Sequence, residues 1–250
     1  MKRICISILA ATSVTVAHAV VPDTGPDPLF SFVGKVGGAS GTAITSRAVI
    51  TAKHVGGLTF TLGGTNFQAV ARVDHPTADI SILNFGVDLP GWHTLGSSAD
   101  LGSSLTLVGY GDTGVLNGAG NGYTILAGGG IRRASTNLLH ERAFVTNYGP
   151  SMLSYLNVNG DAVLAAGDSG GGFFHNGRLV GVNSFIFTLN QSLPNYGFAS
   201  LNGGTAYFGS GAIDLTDPGL RDWVIANAVP EPATMAAIGI GLAALLRRRR

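Results

Sequence analysis

The 250-residue sequence predicts an all-β fold with one late helix, and three observations carry that prediction. Short apolar runs recur along the chain, separated by turn residues. Glycine supplies 38 of the 250 residues, about twice ordinary usage. Helical periodicity is scarce. The runs at 43–51, 58–62, 68–73, 80–85, 104–110, 151–158, 172–175, 179–187 and 196–201 read as strands, because each is short, apolar and bounded by Gly, Asn, Asp or Pro. The best helix spans 217–228: Asp217 is placed to cap it, Pro218 suits its first turn, and Leu220, Trp223, Val224 and Ala228 share a face. Many strands, many turns and one helix indicate an antiparallel barrel or sandwich.

Both ends are set apart from this middle. Lys2 and Arg3 precede an apolar stretch from Ile4 to Val16, and Ala17-His18-Ala19 is a small-x-small cleavage site. Residues 1–19 therefore read as a secretory signal peptide cut after Ala19. At the other end Val229-Pro230-Glu231-Pro232 leads into an apolar run of 14 residues, 233–246, and then Arg247 to Arg250. The prolines end any preceding helix. The run is shorter than the roughly 20 residues of a typical membrane span, and the arginines would stay on the cytoplasmic side. These features in this order resemble a PEP-CTERM sorting signal at 229–250. The resemblance implies an exosortase-like sorting enzyme as partner, transient membrane contact through the apolar segment, and delivery to the envelope, surface or exterior of a Gram-negative bacterium.

With the ends removed, residues 20–228 suit one all-β domain. Nine Lys and Arg face thirteen Asp and Glu between positions 20 and 230, a net charge of about −4. No basic cluster remains there, so nucleic-acid binding has no electrostatic support. The one cysteine, Cys5, lies in the signal peptide, which leaves the rest without a disulfide or a cysteine metal site. No metal or other cofactor is implied.

Three segments carry chemistry. Gly167-Asp168-Ser169-Gly170-Gly171 offers a nucleophile in a loop that glycines allow to turn tightly. A serine needs a base to take its proton and backbone N–H donors for the developing oxyanion; the amides of Gly167 and Ser169 are the expected donors. The same pentapeptide fits the nucleophile elbow of α/β-hydrolases, but their histidine follows the serine at a distance, and here only His175 follows. His54, after the run 47–52, is the candidate base. Asp79 opens the apolar run Ile80-Ser81-Ile82-Leu83, where a charge must be hydrogen-bonded; a histidine Nδ1–H is a suitable donor. Asp74 is the rival without a strand directly after it, and His75 reads as a turn cap.

Thr51-Ala52-Lys53-His54, Asp79-Ile80-Ser81-Ile82-Leu83 and the Ser169 pentapeptide resemble the three signature blocks of the chymotrypsin/trypsin family. Gly41-Thr42-Ala43-Ile44, Val108-Gly109-Tyr110-Gly111 and Val182-Asn183-Ser184-Phe185 are similar to further family segments, so the resemblance covers residues 33–228. It implies two six-stranded antiparallel β-barrels with a helix after them, and a secreted serine endopeptidase acting on protein or peptide through His54, Asp79 and Ser169. It further implies that Ser184 hydrogen-bonds Asp79, and that Val163, Ile186 and Gly197 shape the substrate pocket. Val163 stands where an Arg/Lys-specific pocket has a carboxylate, and Asp161 is two residues too early. A small apolar residue before the scissile bond is therefore expected.

Lys53 departs from the family's small residue, and the 25 residues from His54 to Asp79 imply trimmed loops. Many members pair a newly released N-terminus with the aspartate before the nucleophile, here Asp168. Val36-Gly37-Gly38 resembles such a start only faintly, and stabilisation of Asp168 within the chain is the preferred expectation. An esterase using the same triad, and a catalytically silent surface or matrix binding protein on this scaffold, are the competing readings.

Overall fold

Val49, Leu83 and Phe60 sit on different strands and are all fully buried in one cluster, which is what closing a sheet around its apolar side chains produces. In the computed structural model, which describes residues 20, 29–116, 122–126, 129–155, 161–187, 198–201, 205–207 and 209–228, six strands form this unit. They are β1 (Val33–Val36), β2 (Ala39–Thr45), β3 (Ala48–Thr51), β4 (Thr59–Leu62), β5 (Thr65–Asp74) and β6 (Ser81–Phe85). They close into an antiparallel barrel in the order β1-β2-β3-β6-β5-β4. The run 43–51, expected as one strand, is parts of two: the chain reverses at Ser46 and Arg47, and β2 pairs with β3.

The following strands are β7 (Ser104–Gly109), β8 (Thr113–Leu116), β9 (Gly122–Leu126), β10 (Arg133–Leu138), β11 (Glu141–Val145), β12 (Gly149–Tyr155), β13 (Gly172–His175), β14 (Arg178–Phe187), β15 (Phe198–Leu201), β16 (Thr205–Tyr207) and β17 (Gly209–Asp214). Seven of them make a sheet in the order β10-β7-β13-β14-β17-β12-β11, and four make a smaller sheet, β16-β15-β9-β8. The second unit thus has seven strands in its main sheet rather than six. The edge of β12 is taken by β11. Side chains span the gap from β10 to β12: Asn137 Nδ2 donates to the Tyr155 carbonyl (3.0 Å) and Ser154 Oγ to the Leu138 carbonyl (2.8 Å).

A shared apolar layer joins the two units. Ile44, Ile50 and Ile82 of the barrel pack with Val108, Phe174 and Val182 of the sheet. The last element, α1 (Pro218–Ala228), adds Leu220, Val224 and Ala228 to that layer. Asp217 caps it, its Oδ1 accepting the Leu220 N–H at 3.0 Å. Barrel side chains hold the far end: Asn84 Nδ2 donates to the Asn227 carbonyl (3.2 Å) and Thr45 Oγ1 to the Ala228 carbonyl (3.3 Å). No helix among the described residues is long and apolar enough to cross a membrane. The segments 1–19 and 229–250, with the signal-peptide and sorting-tail expectations, lie outside the described residues.

Candidate active site

β3 ends at Thr51, whose Oγ1 donates to the Ser40 carbonyl at 2.8 Å and starts the turn that presents His54. Arg72 on β5 holds this turn from below. Its guanidinium donates to the carbonyls of Lys53 and Val55, on either side of His54, both at 2.7 Å. Arg72 is itself fixed by Asp74 Oδ1 (2.7 Å) and Ser81 Oγ (2.9 Å). That network occupies Asp74, the rival acid. Burial opposes ionisation of Asp74, but hydrogen bonds from Ser81 and Arg72 and the charges of Arg72 and Lys53 outweigh it and hold its pKa below the ordinary value. Lys53 turns away from His54 and donates to the His75 carbonyl at 2.9 Å. His75 caps its turn, Nδ1 accepting the N–H groups of Thr77 (3.2 Å) and Ala78 (2.8 Å). Burial, then the Lys53 charge, lower its pKa.

Asp79 is buried just before β6, where its own N–H donates to the Tyr148 carbonyl at 3.0 Å and ties the barrel to the second unit. Its carboxylate meets the His54 turn twice: Oδ1 accepts the His54 N–H at 3.0 Å, and Oδ2 lies 2.7 Å from the ring Nδ1. Ser184 Oγ also donates to Oδ2. The far side of the His54 ring reaches Ser169, with Nε2 2.9 Å from Oγ. The structure thus brings His54, Asp79, Ser169 and Ser184 into one hydrogen-bonded line. The imidazole side chain is about half exposed (47%) and the carboxylate nearly enclosed (8%), so the ring borders solvent while its acid partner does not.

Ser169 sits in a loop that two glycines permit. Gly167 has φ +91° and Gly170 φ +84°, conformations L side chains rarely adopt. A Cβ on Gly170 would lie 2.0 Å from the Ser40 carbonyl oxygen. Ser40 of β2 binds this loop throughout: its N–H donates to the Ser169 carbonyl (2.9 Å), its Oγ donates to the Gly167 carbonyl (2.8 Å), and the same Oγ accepts the Tyr110 N–H (2.9 Å). Asn183 of β14 grips the other side, its Nδ2 donating to the carbonyls of Val108 (2.8 Å) and Asp168 (3.1 Å). The N–H groups of Gly167 and Ser169 donate to no other described residue.

Asp168 lies beneath the loop, wholly buried. Oδ1 accepts the Gly111 N–H and Oδ2 the Ala165 N–H, both at 2.8 Å, and the Val20 N–H is a third donor. Burial pushes the carboxyl up to about 7, against the lowering effect of those amides. Asp168 is therefore held by groups of its own chain. The faint alternative, a terminus at Val36, conflicts with the barrel: Val36 is fully buried in β1, paired to β2 and β4.

Of the pocket candidates, Ile186 lies beside His54 and Asp79. With His54, Asp79, Asn147, Tyr148, Ser184 and Phe185 it lines a cavity of about 420 Å³. The Tyr148 and Phe185 rings are 4.3 Å apart. Val163 is fully buried in the segment leading to Ser169. Gly197 lies outside the described residues. Asp161 bears on His140, whose pKa burial lowers against the raising effect of the Asp161 charge. Sequence reasoning did not find Ser40, Arg72 or Asn183: each acts through backbone carbonyls or amides that only the fold brings near. Among the described residues no three His, Cys, Asp or Glu side chains are grouped to hold a metal ion.

The fold is similar to that of neuropsin, a serine protease expressed in the limbic system of mouse brain, at 13% identity and a TM-score of 0.59, over 80% of this chain and 96% of neuropsin. It is also similar to the inactive form of the Rv3671c protease, at 18% identity and a TM-score of 0.53, over 84% of this chain and all of that one (100%). No curated protein matches the chain in sequence. The PEP-CTERM protein-sorting motif matches residues 228–250. The chain thus combines the fold of the trypsin-like serine proteases with a PEP-CTERM sorting motif.

Proposed function

We propose that the chain is a serine endopeptidase that exosortase processing and the PEP-CTERM route deliver to the surface of a Gram-negative cell. The observation that carries this reading is His54 hydrogen-bonded at both ring nitrogens, to Asp79 at 2.7 Å and to Ser169 at 2.9 Å. Asp79 holds the tautomer that leaves Nε2 free to accept the Ser169 proton. Ser169 Oγ attacks the peptide carbonyl, and the oxyanion forms against the N–H groups of Gly167 and Ser169. His54 then protonates the leaving amine. Water, deprotonated by His54, releases the acyl group from Ser169.

The substrate preference proposed is a small apolar residue before the scissile bond. It is supported by the uncharged, buried Val163 and by Ile186, which narrows the cleft beside His54. A peptide library would read it directly; cleavage mainly after Arg or Lys would overturn it.

The activity is tested on the chain from Val20 to Arg250, in detergent, with a fluorophosphonate probe read by intact mass. One adduct is expected on the wild type and none on Ser169→Ala. A folded chain that takes no adduct, and hydrolyses neither peptides nor esters, would favour the silent binding protein. Turnover of esters without peptides would make it an esterase.

A further inference from the structure

The sorting motif starts where the fold stops. Its match begins at Ala228, and Ala228 is also the last residue of α1, buried against the barrel. Thr45 Oγ1 donates to the Ala228 carbonyl (3.3 Å) and Asn84 Nδ2 to the Asn227 carbonyl (3.2 Å), so the chain leaves the fold from a fixed point. The apolar run of 14 residues begins at position 233. The five Cα steps from Ala228 to Ala233 reach about 18 Å when fully extended, and the head-group layer takes up about 5–8 Å of that. The run is also short for the bilayer. As a helix its 14 residues would reach about 21 Å, against a hydrocarbon thickness of about 30 Å. With Arg247 to Arg250 kept on the cytoplasmic side, the shortfall draws the outer end inward.

The surface around the exit point is apolar. Val87 is 55% exposed and follows β6, three residues after Asn84. Val70 of β5 is 72% exposed, and its Cγ1 lies 3.4 Å from where a Cβ on Gly86 would stand. Ile225, 47% exposed, is on the last turn of α1. Arg47, whose carbonyl accepts the Phe85 N–H, pairs with Asp88 at 2.6 Å, so the two bring no net charge to this face. Exposed apolar side chains are ordinary one at a time, and three would not hold a protein on a membrane. A tether this short supplies the rest.

We propose that, until the tail is cut, the end of the barrel carrying Val70, Val87 and Ile225 rests in the head-group layer of the bilayer, with the catalytic cleft facing away from it. The inference goes beyond the peptidase reading and rests on the sorting-tail part of it. The strands set the orientation. β6 runs from Ser81, beside Asp79, to Phe85 at the apolar face, and β3 runs from Ala48, beside Arg47, to Thr51, where the His54 turn starts. The catalytic side chains and the apolar face thus lie at opposite ends of the same strands. The five residues from Asp79 to Asn84 separate them by roughly 17 Å. So tethered, the chain presents Ser169 to proteins of the surrounding aqueous space and not to substrates lying in the bilayer.

The only cysteine of the sequence is Cys5, so the chain from Val20 to Arg250 accepts one new cysteine, carrying an environment-sensitive fluorophore, at a chosen site. Val70→Cys, Val87→Cys and Ile225→Cys report on the face. Thr77→Cys, exposed at the catalytic end of the same barrel, and Phe144→Cys, exposed beside Asp217 at the other end of α1, are the controls. Each chain is reconstituted into vesicles of phosphatidylethanolamine and phosphatidylglycerol, with and without a head-group nitroxide lipid, and flotation is read beside fluorescence. At 70, 87 and 225 the emission should shift to the blue and be lost to the nitroxide; at 77 and 144 it should do neither. A Gly-Ser linker of about 20 residues between Pro232 and Ala233, with an r.m.s. reach of roughly 25 Å, should relieve the quenching while the chain still floats. Chains that float with equal quenching at all five positions, or with none at 70 and 87, would overturn the proposal and leave the sorting tail standing. Chains that do not float would remove the tail reading and the proposal with it. Fluorophosphonate labelling of the same samples reads the peptidase separately.

Discussion

Three hydrogen bonds of the site converge on the Asp79 side chain: the His54 N–H, the His54 ring and the Ser184 hydroxyl all point at one buried carboxylate. Its two roles, holding the ring and holding its tautomer, separate by mutation. Asp79→Asn keeps the shape but favours the wrong tautomer, and should lower kcat by about 10⁴. Ser184→Ala removes one hydrogen bond to the charge and leaves the other two, so kcat should fall only about 10- to 100-fold with KM little changed. Steady-state kinetics on one peptide substrate checks both; equal losses for the two variants would mean that Ser184, not the ring orientation, controls the acid. The sequence pointed to His54, Asp79 and Ser169 because each lies in a marked local setting, and the fold brings the three within hydrogen-bond distance. The sequence did not point to Ser40, Arg72 or Asn183. What they hold in the site are backbone carbonyls and amides 15 or more residues away, and a carbonyl leaves no trace in a sequence.

The elements show where patterning succeeds and where it is overridden. α1 was readable to its cap, because Asp217-Pro218 and the spacing of Leu220, Val224 and Ala228 act within one helix. β17 was not. Gly209-Ser210-Gly211 looks like a turn, yet the whole strand is buried. A Cβ on Gly211 would meet the Phe185 ring at 2.1 Å, so glycine is there to admit aromatic rings from β14. β10 and β11 lack clear apolar alternation because polar residues such as Asn137 serve the junction between strands. The Ser169 loop gives a test at this scale. Gly170→Ala places a methyl against fixed backbone at φ +84° and should lower stability by roughly 3 kcal/mol. Gly63→Ala shares a positive φ of +57° but faces open space, so roughly 1 kcal/mol is expected. Urea midpoints measure both, and equal shifts would show that backbone conformation alone, not contact with Ser40, makes Gly170 necessary.

At the scale of the whole molecule, the two units meet around the loop that Asp168 underlies, and pH reads how that buried carboxyl bears on stability. Burial pushes the Asp168 carboxyl up from its ordinary 3.8 to about 7. The folded state then holds this proton more tightly than the unfolded chain does. Its contribution to stability is complete below about pH 4 and is lost as pH rises through about 7. Asp112 adds to the upward push, while the amides of Ala165, Gly111 and Val20 resist it. Asp168→Asn has no such carboxyl to titrate, so the Tm of the wild type should fall relative to that of Asp168→Asn as pH rises from about 4 to about 7. Thermal melts of both full-length chains across this range read the difference. Parallel Tm curves would mean that the carboxyl beneath Ser169 keeps one protonation state through this range, and that the amides outweigh its burial.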